Sequence, residues 1–189
     1  MIAGAPAVGM RALHSYLENA PPSGVFKAAP TPLGRSEGGK DGGVVMLVRD
    51  VLHGKGRNVV KVQATDSVHM AVRKLAEHNI GALVVEDKWM KLVGVFSERD
   101  FVNAIADHGS AALGLQVDAL MSAPIVSCRS VDRIDAALAT MTVGRIRHLP
   151  VIDNGTLQGI VSIGDLVKHR LDEKELEASV LLEISRMRA

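Results

Sequence analysis

One seven-residue stretch occurs twice, and it constrains the fold more than any other feature of the chain. Gly94-Val95-Phe96-Ser97-Glu98-Arg99-Asp100 returns as Gly159-Ile160-Val161-Ser162-Ile163-Gly164-Asp165. Each copy reads as the end of a buried strand running straight into a helix, with serine as N-cap and aspartate three residues on. Ser-x-x-Asp at such a junction is a capping box, which satisfies backbone N–H groups that the first helical turn leaves without partners. The same corner, with its free N–H groups and positive dipole end, is also a place to hold phosphate and ribose. Taken alone, the motif needs nothing beyond the capping role. The repeat around it brings the second role into play.

The repeat extends far beyond the motif. Val48-Arg49-Asp50-Val51-Leu52 and Val117-Asp118-Ala119-Leu120-Met121 open the two copies, each as a short helical turn delivering an apolar pair to a core. A linker follows, lengthened in the first copy by His53-Gly54-Lys55-Gly56-Arg57, which reads as flexible. Short strands come next, Val59 to Val62 and Ile125 to Cys128. Asp66 and Asp132 then stand where helix N-caps belong. Val68, Ala71, Val72 and Leu75 recur at the helical spacing of an amphipathic stripe, matched by Ile134, Ala137, Leu138 and Met141. A hairpin follows each helix. Ala82 to Val85 pairs with Leu92 to Phe96, and Leu149 to Ile152 pairs with Leu157 to Val161 across Asp153-Asn154-Gly155, a strong hairpin signal. Near-continuous apolar strands leave little of either sheet for water. A unit of this size would bury only about 60% of its unfolded surface. Two units packed together, each covering the other's apolar face, are therefore expected.

Composition narrows the function. Lys plus Arg number 22 against 21 Asp plus Glu, and aromatics make up 3%. No net field and few stacking platforms argue against nucleic acid or an anionic membrane as partner. No run of 18 apolar residues suggests a membrane span. Cys128 is the single cysteine, and the seven histidines lack ligand spacing, so neither a disulfide nor a metal centre is expected. The apolar strand around Cys128 suggests buried packing rather than a nucleophile. No general base stands paired with a nucleophile, so no enzyme is expected. Residues 1–45 hold eight of the 18 glycines and five of the seven prolines. They read as a disordered or non-native tail, with a transit peptide or a natural start at Met46 as alternatives.

Two further stretches complete a resemblance. Asn79-Ile80-Gly81-Ala82-Leu83-Val84-Val85 and Arg145-Ile146-Arg147-His148-Leu149-Pro150-Val151, together with the repeated Ser-x-x-Asp corners, resemble the cystathionine β-synthase (CBS) domain, present as a tandem pair. In detail the chain looks like the stand-alone CBS-pair proteins of bacteria and plant organelles. The resemblance implies an α+β fold of two β-α-β-β-α units packed sheet to sheet about a pseudo-two-fold axis. The first unit would span residues 46–110 and the second 111–172, with a C-terminal helix over 173–189.

The resemblance also implies clefts between the units for adenosine compounds: AMP, ADP, ATP, S-adenosylmethionine or NAD(H), with no cofactor required. It implies a homodimer that acts as a sensor or regulator, with a regulated protein as a further partner, and a cytoplasmic location goes with it. Carried over, Asp100 and Asp165 would accept the ribose hydroxyls, and Ser97 and Ser162 would hold ribose or the first phosphate. Arg99, Arg145, Arg147 and His148 would meet phosphate, since guanidinium forks engage it in bidentate fashion. Lys61 and Arg129 are weaker candidates at the mouths. Val60, Val62, Ile125 and Val126 would wall the adenine slot. The first unit lacks the basic run, and Gly164 replaces Arg99 in the second, so the clefts should differ, and one phosphate-rich site would draw charge from both units. The alternative function is a ligand-free interaction or dimerisation module whose Ser-x-x-Asp corners are only caps.

Overall fold

The computed structural model describes residues 27–28, 46–56 and 58–187. In the first unit, helix α1 (Val48–Lys55) leads to strand β2 (Lys61–Gln63), helix α2 (Val68–His78), the hairpin β3 (Ala82–Glu86) and β4 (Leu92–Ser97), and helix α3 (Glu98–His108). The second unit repeats this with a 3-10 turn (Val117–Ala119), β5 (Val126–Ser127), α4 (Ile134–Gly144), β6 (His148–Asp153), β7 (Thr156–Ser162) and α5 (Ile163–Met187). β2 runs parallel to β3, and β3 pairs antiparallel with β4 in the register Ala82↔Ser97. β6 and β7 pair likewise, with His148↔Ser162. β5 joins β6 through a parallel bridge at Cys128, whose N–H bonds Pro150 O at 3.1 Å. β3 is buried at all five residues, and β6 over Leu149–Ile152, as continuous apolar runs require. Asn154 and Gly155 both take positive φ, the geometry an Asn-Gly hairpin turn needs.

The tail expected over residues 1–45 lies outside the described residues apart from β1 (Lys27–Ala28), which pairs in parallel with Val126–Ser127. Three local expectations are corrected. Asp66 and Asp132 are not the N-caps: Ser67 and Arg133 hold those positions, and the aspartates close the preceding turns by accepting from Gln63 N at 3.0 Å and Arg129 N at 2.7 Å. A short carboxylate satisfies a turn three residues back as readily as a helix start. Gly54 and Lys55 are not flexible linker, because α1 continues through both and Gly56 closes it by bonding Leu52 O at 3.0 Å. The helix expected from residue 173 does not stand apart: α5 is continuous from the second Ser-x-x-Asp corner.

The units exchange their opening segments. Val48, Val51 and Leu52 of α1 are buried in the core of the second unit, with Cys128, Ile134, Met141, Leu149, Val161 and Leu166. Val117, with Leu115, Leu120 and Met121 beside it, belongs to the core of the first unit around Val62, Leu75, Leu83 and Phe96. Backbone hydrogen bonds fix both crossings by the same geometry: Val48 N bonds Asp132 O at 2.9 Å, and Val117 N bonds Asp66 O at 3.0 Å. Two glycines make room. A Cβ on Gly94 would meet Met121, and one on Gly159 would lie 2.7 Å from Leu52 Cδ2.

Gly159→Ala is therefore expected to destabilise the chain by about 1–3 kcal/mol through overpacking. Combined with Leu52→Ala, it should cost at least about 0.5 kcal/mol less than the two changes separately. Urea unfolding of both single variants and the double variant checks this, and strict additivity would contradict the exchange.

Candidate ligand cleft between the units

The first Ser-x-x-Asp corner is a complete capping box. Ser97 N and Ser97 Oγ donate to Asp100 Oδ2 at 2.7 and 2.6 Å, and Asp100 N donates to Ser97 Oγ at 3.4 Å. Glu98 N is taken by Gly81 O at 3.1 Å. The corner's N–H groups are thus largely engaged by the protein, and positive charge for an anion has to come from side chains. Asp100 Oδ1 faces the other way and accepts from Ser122 Oγ at 3.0 Å.

A cleft of about 640 Å³ opens at this corner. Its volume lies within the range of small-molecule sites. Ser97, Arg99 and Asp100 line it from the first unit, and Ser122, Ile125 and Val126 form a second wall. Arg145, Arg147 and His148 close the third side. Arg99 spans the gap, donating from Nη1 to Arg145 O. Arg145 ends α4 in the left-handed region at φ 51°, where Asn79 ends α2 in the first unit. Asparagine tolerates that conformation, whereas for arginine it costs about 1–2 kcal/mol. A carboxylate acceptor, an apolar wall and three basic side chains of the second unit thus converge in one space, with Arg99 of the first.

The second corner is built alike and surrounded differently. Ser162 N and Oγ both donate to Asp165 Oδ2 at 2.7 Å, and Ile163 N bonds Arg147 O. Lys55 Nζ sits on the same Oδ2 at 2.6 Å. Burial alone would raise the Asp165 carboxyl, but hydrogen bonds from Lys55 and from the Ser162 backbone and hydroxyl outweigh it and hold the group below the usual range. A smaller cleft of about 470 Å³ touches Ser162 and Gly164 and shares Arg147 and His148, with Val72, Leu75 and Phe101 as its apolar side. Asp165, Val60 and Val62 line neither cleft. Val62 is buried in the first core, and the partly exposed Val60 packs against it. Lys61 is ion-paired with the nearly buried Glu86 at 2.7 Å, a structural role for that weaker candidate.

The structure adds two residues that the sequence pattern missed. Ser122 reaches Asp100 only because the opening segments cross over, and Lys55 reaches Asp165 only because α1 is longer than expected. Burial pushes the Cys128 thiol up to about 12, which leaves it inert. Among the described residues no group of three or more His, Cys, Asp and Glu could hold a metal ion.

His148 lines both clefts. Its ring lies over Gly81, where a Cβ would come within 2.9 Å of Cε1. Burial first, then the Lys55 charge, lowers its pKa below 6.5, with Glu98 and Asp165 pulling the other way. Below pH 6.5 the unfolded chain therefore binds a proton that the folded chain refuses, and stability falls as pH falls. The loss begins near pH 6.5 and grows until pH passes the lowered folded value. Thermal melts of the protein and of His148→Gln between pH 7 and 5 should show a smaller loss in the variant; equal losses would place the sensitivity elsewhere.

Comparison with known proteins agrees with this architecture. The CBS domain model matches residues 48–107 and 117–172. The chain is 31% identical over 146 residues to the CBS domain-containing protein CBSX3, mitochondrial, of Arabidopsis thaliana, covering 70% of this chain and 71% of that one. The crystal structure of the CBS-domain containing protein ATU1752 from Agrobacterium tumefaciens superposes with a TM-score of 0.65 at 43% identity, over 69% of this chain and 96% of that one. The CBS domain pair of protein MJ0100, solved in complex with 5′-methylthioadenosine and S-adenosyl-L-methionine, shares the fold at 23% identity with a TM-score of 0.61, over 69% and 99% of the two chains. With both halves matched and the two cores built alike, the chain belongs to the CBS-domain family, as a tandem CBS pair.

Proposed function

We infer that the chain is a regulatory module that binds an adenosine-containing small molecule in the Asp100 cleft, with AMP or NAD(H) first among candidates. The observation that carries this is the convergence of Asp100, Ile125, Val126, Arg145, Arg147 and His148 around one open cleft. An ionised carboxylate only accepts, so Asp100 suits a ribose diol that presents two donors. Ile125 and Val126 offer an apolar wall for adenine, and the arginines offer planar donors for phosphate. That the same fold in MJ0100 holds adenosine compounds supports the reading. Nothing in it requires a catalytic step, and a cytoplasmic location belongs to the same proposal.

Homodimerisation is part of the function we infer. Val102 and Ile105 on α3 are 64% and 38% exposed, and Val167 and Leu171 on α5 are 43% and 58% exposed. These equivalent helices present apolar side chains that a second copy would cover. Among the described residues no helix is long and apolar enough to cross a membrane. Sedimentation should find a dimer that Val102→Asp with Leu171→Asp converts to a folded monomer. A monomeric parent would refute the assembly.

Ligand binding is tested by thermal shift of the full chain against AMP, ATP, NADH and S-adenosylmethionine. A ligand that binds only the folded state stabilises it by about 2.7 kcal/mol at a hundredfold excess over Kd. Arg147→Ala should abolish most of the shift without lowering the melting temperature of the unliganded chain, because Arg147 is exposed. Asp100→Asn should abolish it too while preserving a capping side chain. No shift with any of the four at millimolar concentration would leave the ligand-free interaction module, with corners that only cap, as the better account.

A further inference from the structure

Asp100 and Asp165 are equivalent by the repeat, yet their carboxylates have different company. At Asp100 the cross-unit neighbour is the exposed, neutral hydroxyl of Ser122, 3.0 Å from Oδ1, which can rotate aside when a ligand arrives. At Asp165 the cross-unit neighbour is the ammonium of Lys55, 2.6 Å from Oδ2, the oxygen that already accepts from Ser162 N and Oγ. Lys55 is the last residue of α1, carried there by the His53–Arg57 extension of the first linker. The second unit has no such extension: its opening turn ends at Ala119, and it is Ser122 that reaches Asp100.

We propose that Lys55 is a resident cation that closes the Asp165 corner to ribose, so that each chain takes one adenosine-type ligand, in the Asp100 cleft. This rests on the inferred function of the Asp100 cleft. A diol approaching Asp165 competes with an ammonium already bound to that carboxylate through Oδ2, in a charge-assisted bond about twice as strong as a neutral one. A diol approaching Asp100 displaces only a hydroxyl.

Isothermal titration of the full chain with AMP reads this directly. The expected result is one site per chain, lost in Asp100→Asn and unchanged in Asp165→Asn. In Lys55→Ala a second site should appear, tightened by at least about tenfold, roughly what removing one charge-assisted competitor allows. Asp165→Asn on that background should return the count to one. Lys55 is an exposed helix end, so its removal should leave folding intact, which the melting temperature verifies. Two sites in the parent chain, one of them removed by Asp165→Asn, would overturn the proposal and leave the adenosine function standing. A single site persisting in Lys55→Ala would overturn it as well. Binding seen only in Lys55→Ala, and removed by Asp165→Asn, would keep lysine as the occluding group but refute the Asp100 cleft as the adenosine site, and with it the one-ligand count. No binding in any variant would overturn both.

Discussion

The reciprocal crossing of the opening segments is the contact on which the rest of the structure depends. Each unit alone is a small sheet, three-stranded in the first and a hairpin joined to β5 by one bridge in the second, with two helices, too small to bury its apolar face. Leu52 on Gly159 and Met121 on Gly94 complete each core with side chains from the other half of the chain. The hydrogen bonds from Val48 N and Val117 N repeat the same geometry on both sides, so neither unit is closed until the other is present. The larger cleft is a by-product of that closure. Its walls come from both units, and Ser122 stands beside Asp100 because the chain leaves the first unit's core at that point.

Symmetry governs the backbone and stops at the charges. Asn79 and Arg145 end equivalent helices with the same left-handed φ, and Glu98 N and Ile163 N find equivalent carbonyls. The side chains on that frame are not equivalent. One unit places arginine where the other has asparagine, at a conformational cost that asparagine would avoid. The basic run Arg145, Arg147 and His148 faces the Asp100 corner, while Lys55 occupies the Asp165 corner. A frame built twice therefore holds one electropositive cleft whose carboxylate edge meets a neutral hydroxyl and one corner with an internal ion pair.

Capping and ligand binding are compatible roles for the same aspartate. Asp100 uses Oδ2 for the cap and turns Oδ1 toward Ser122 and the cleft. The cap fixes the carboxylate's orientation before any ligand arrives, which lowers the ordering cost of binding. The arginines take over as the source of positive charge because the corner's N–H groups already have acceptors.

The local code was legible without coordinates. Apolar periodicity gave the strands and the amphipathic helices, Asn154-Gly155 gave a hairpin turn, and Ser-x-x-Asp gave both helix starts, because each depends on residues a few positions apart. The repeat showed two like units, and the basic run of the second unit was visible as a difference between copies. Which core each opening segment enters was not legible, since Leu52 and Met121 fit either core equally well as a periodic pattern. The same limit hid Ser122 and Lys55, whose contacts with Asp100 and Asp165 span 22 and 110 residues. It also hid that Val62 packs in the first core, because period-two alternation names two faces without saying which one meets the core. Contacts closed by chain topology were decided by tertiary structure alone, because packing across the pseudo-two-fold axis leaves no spacing signal in the sequence.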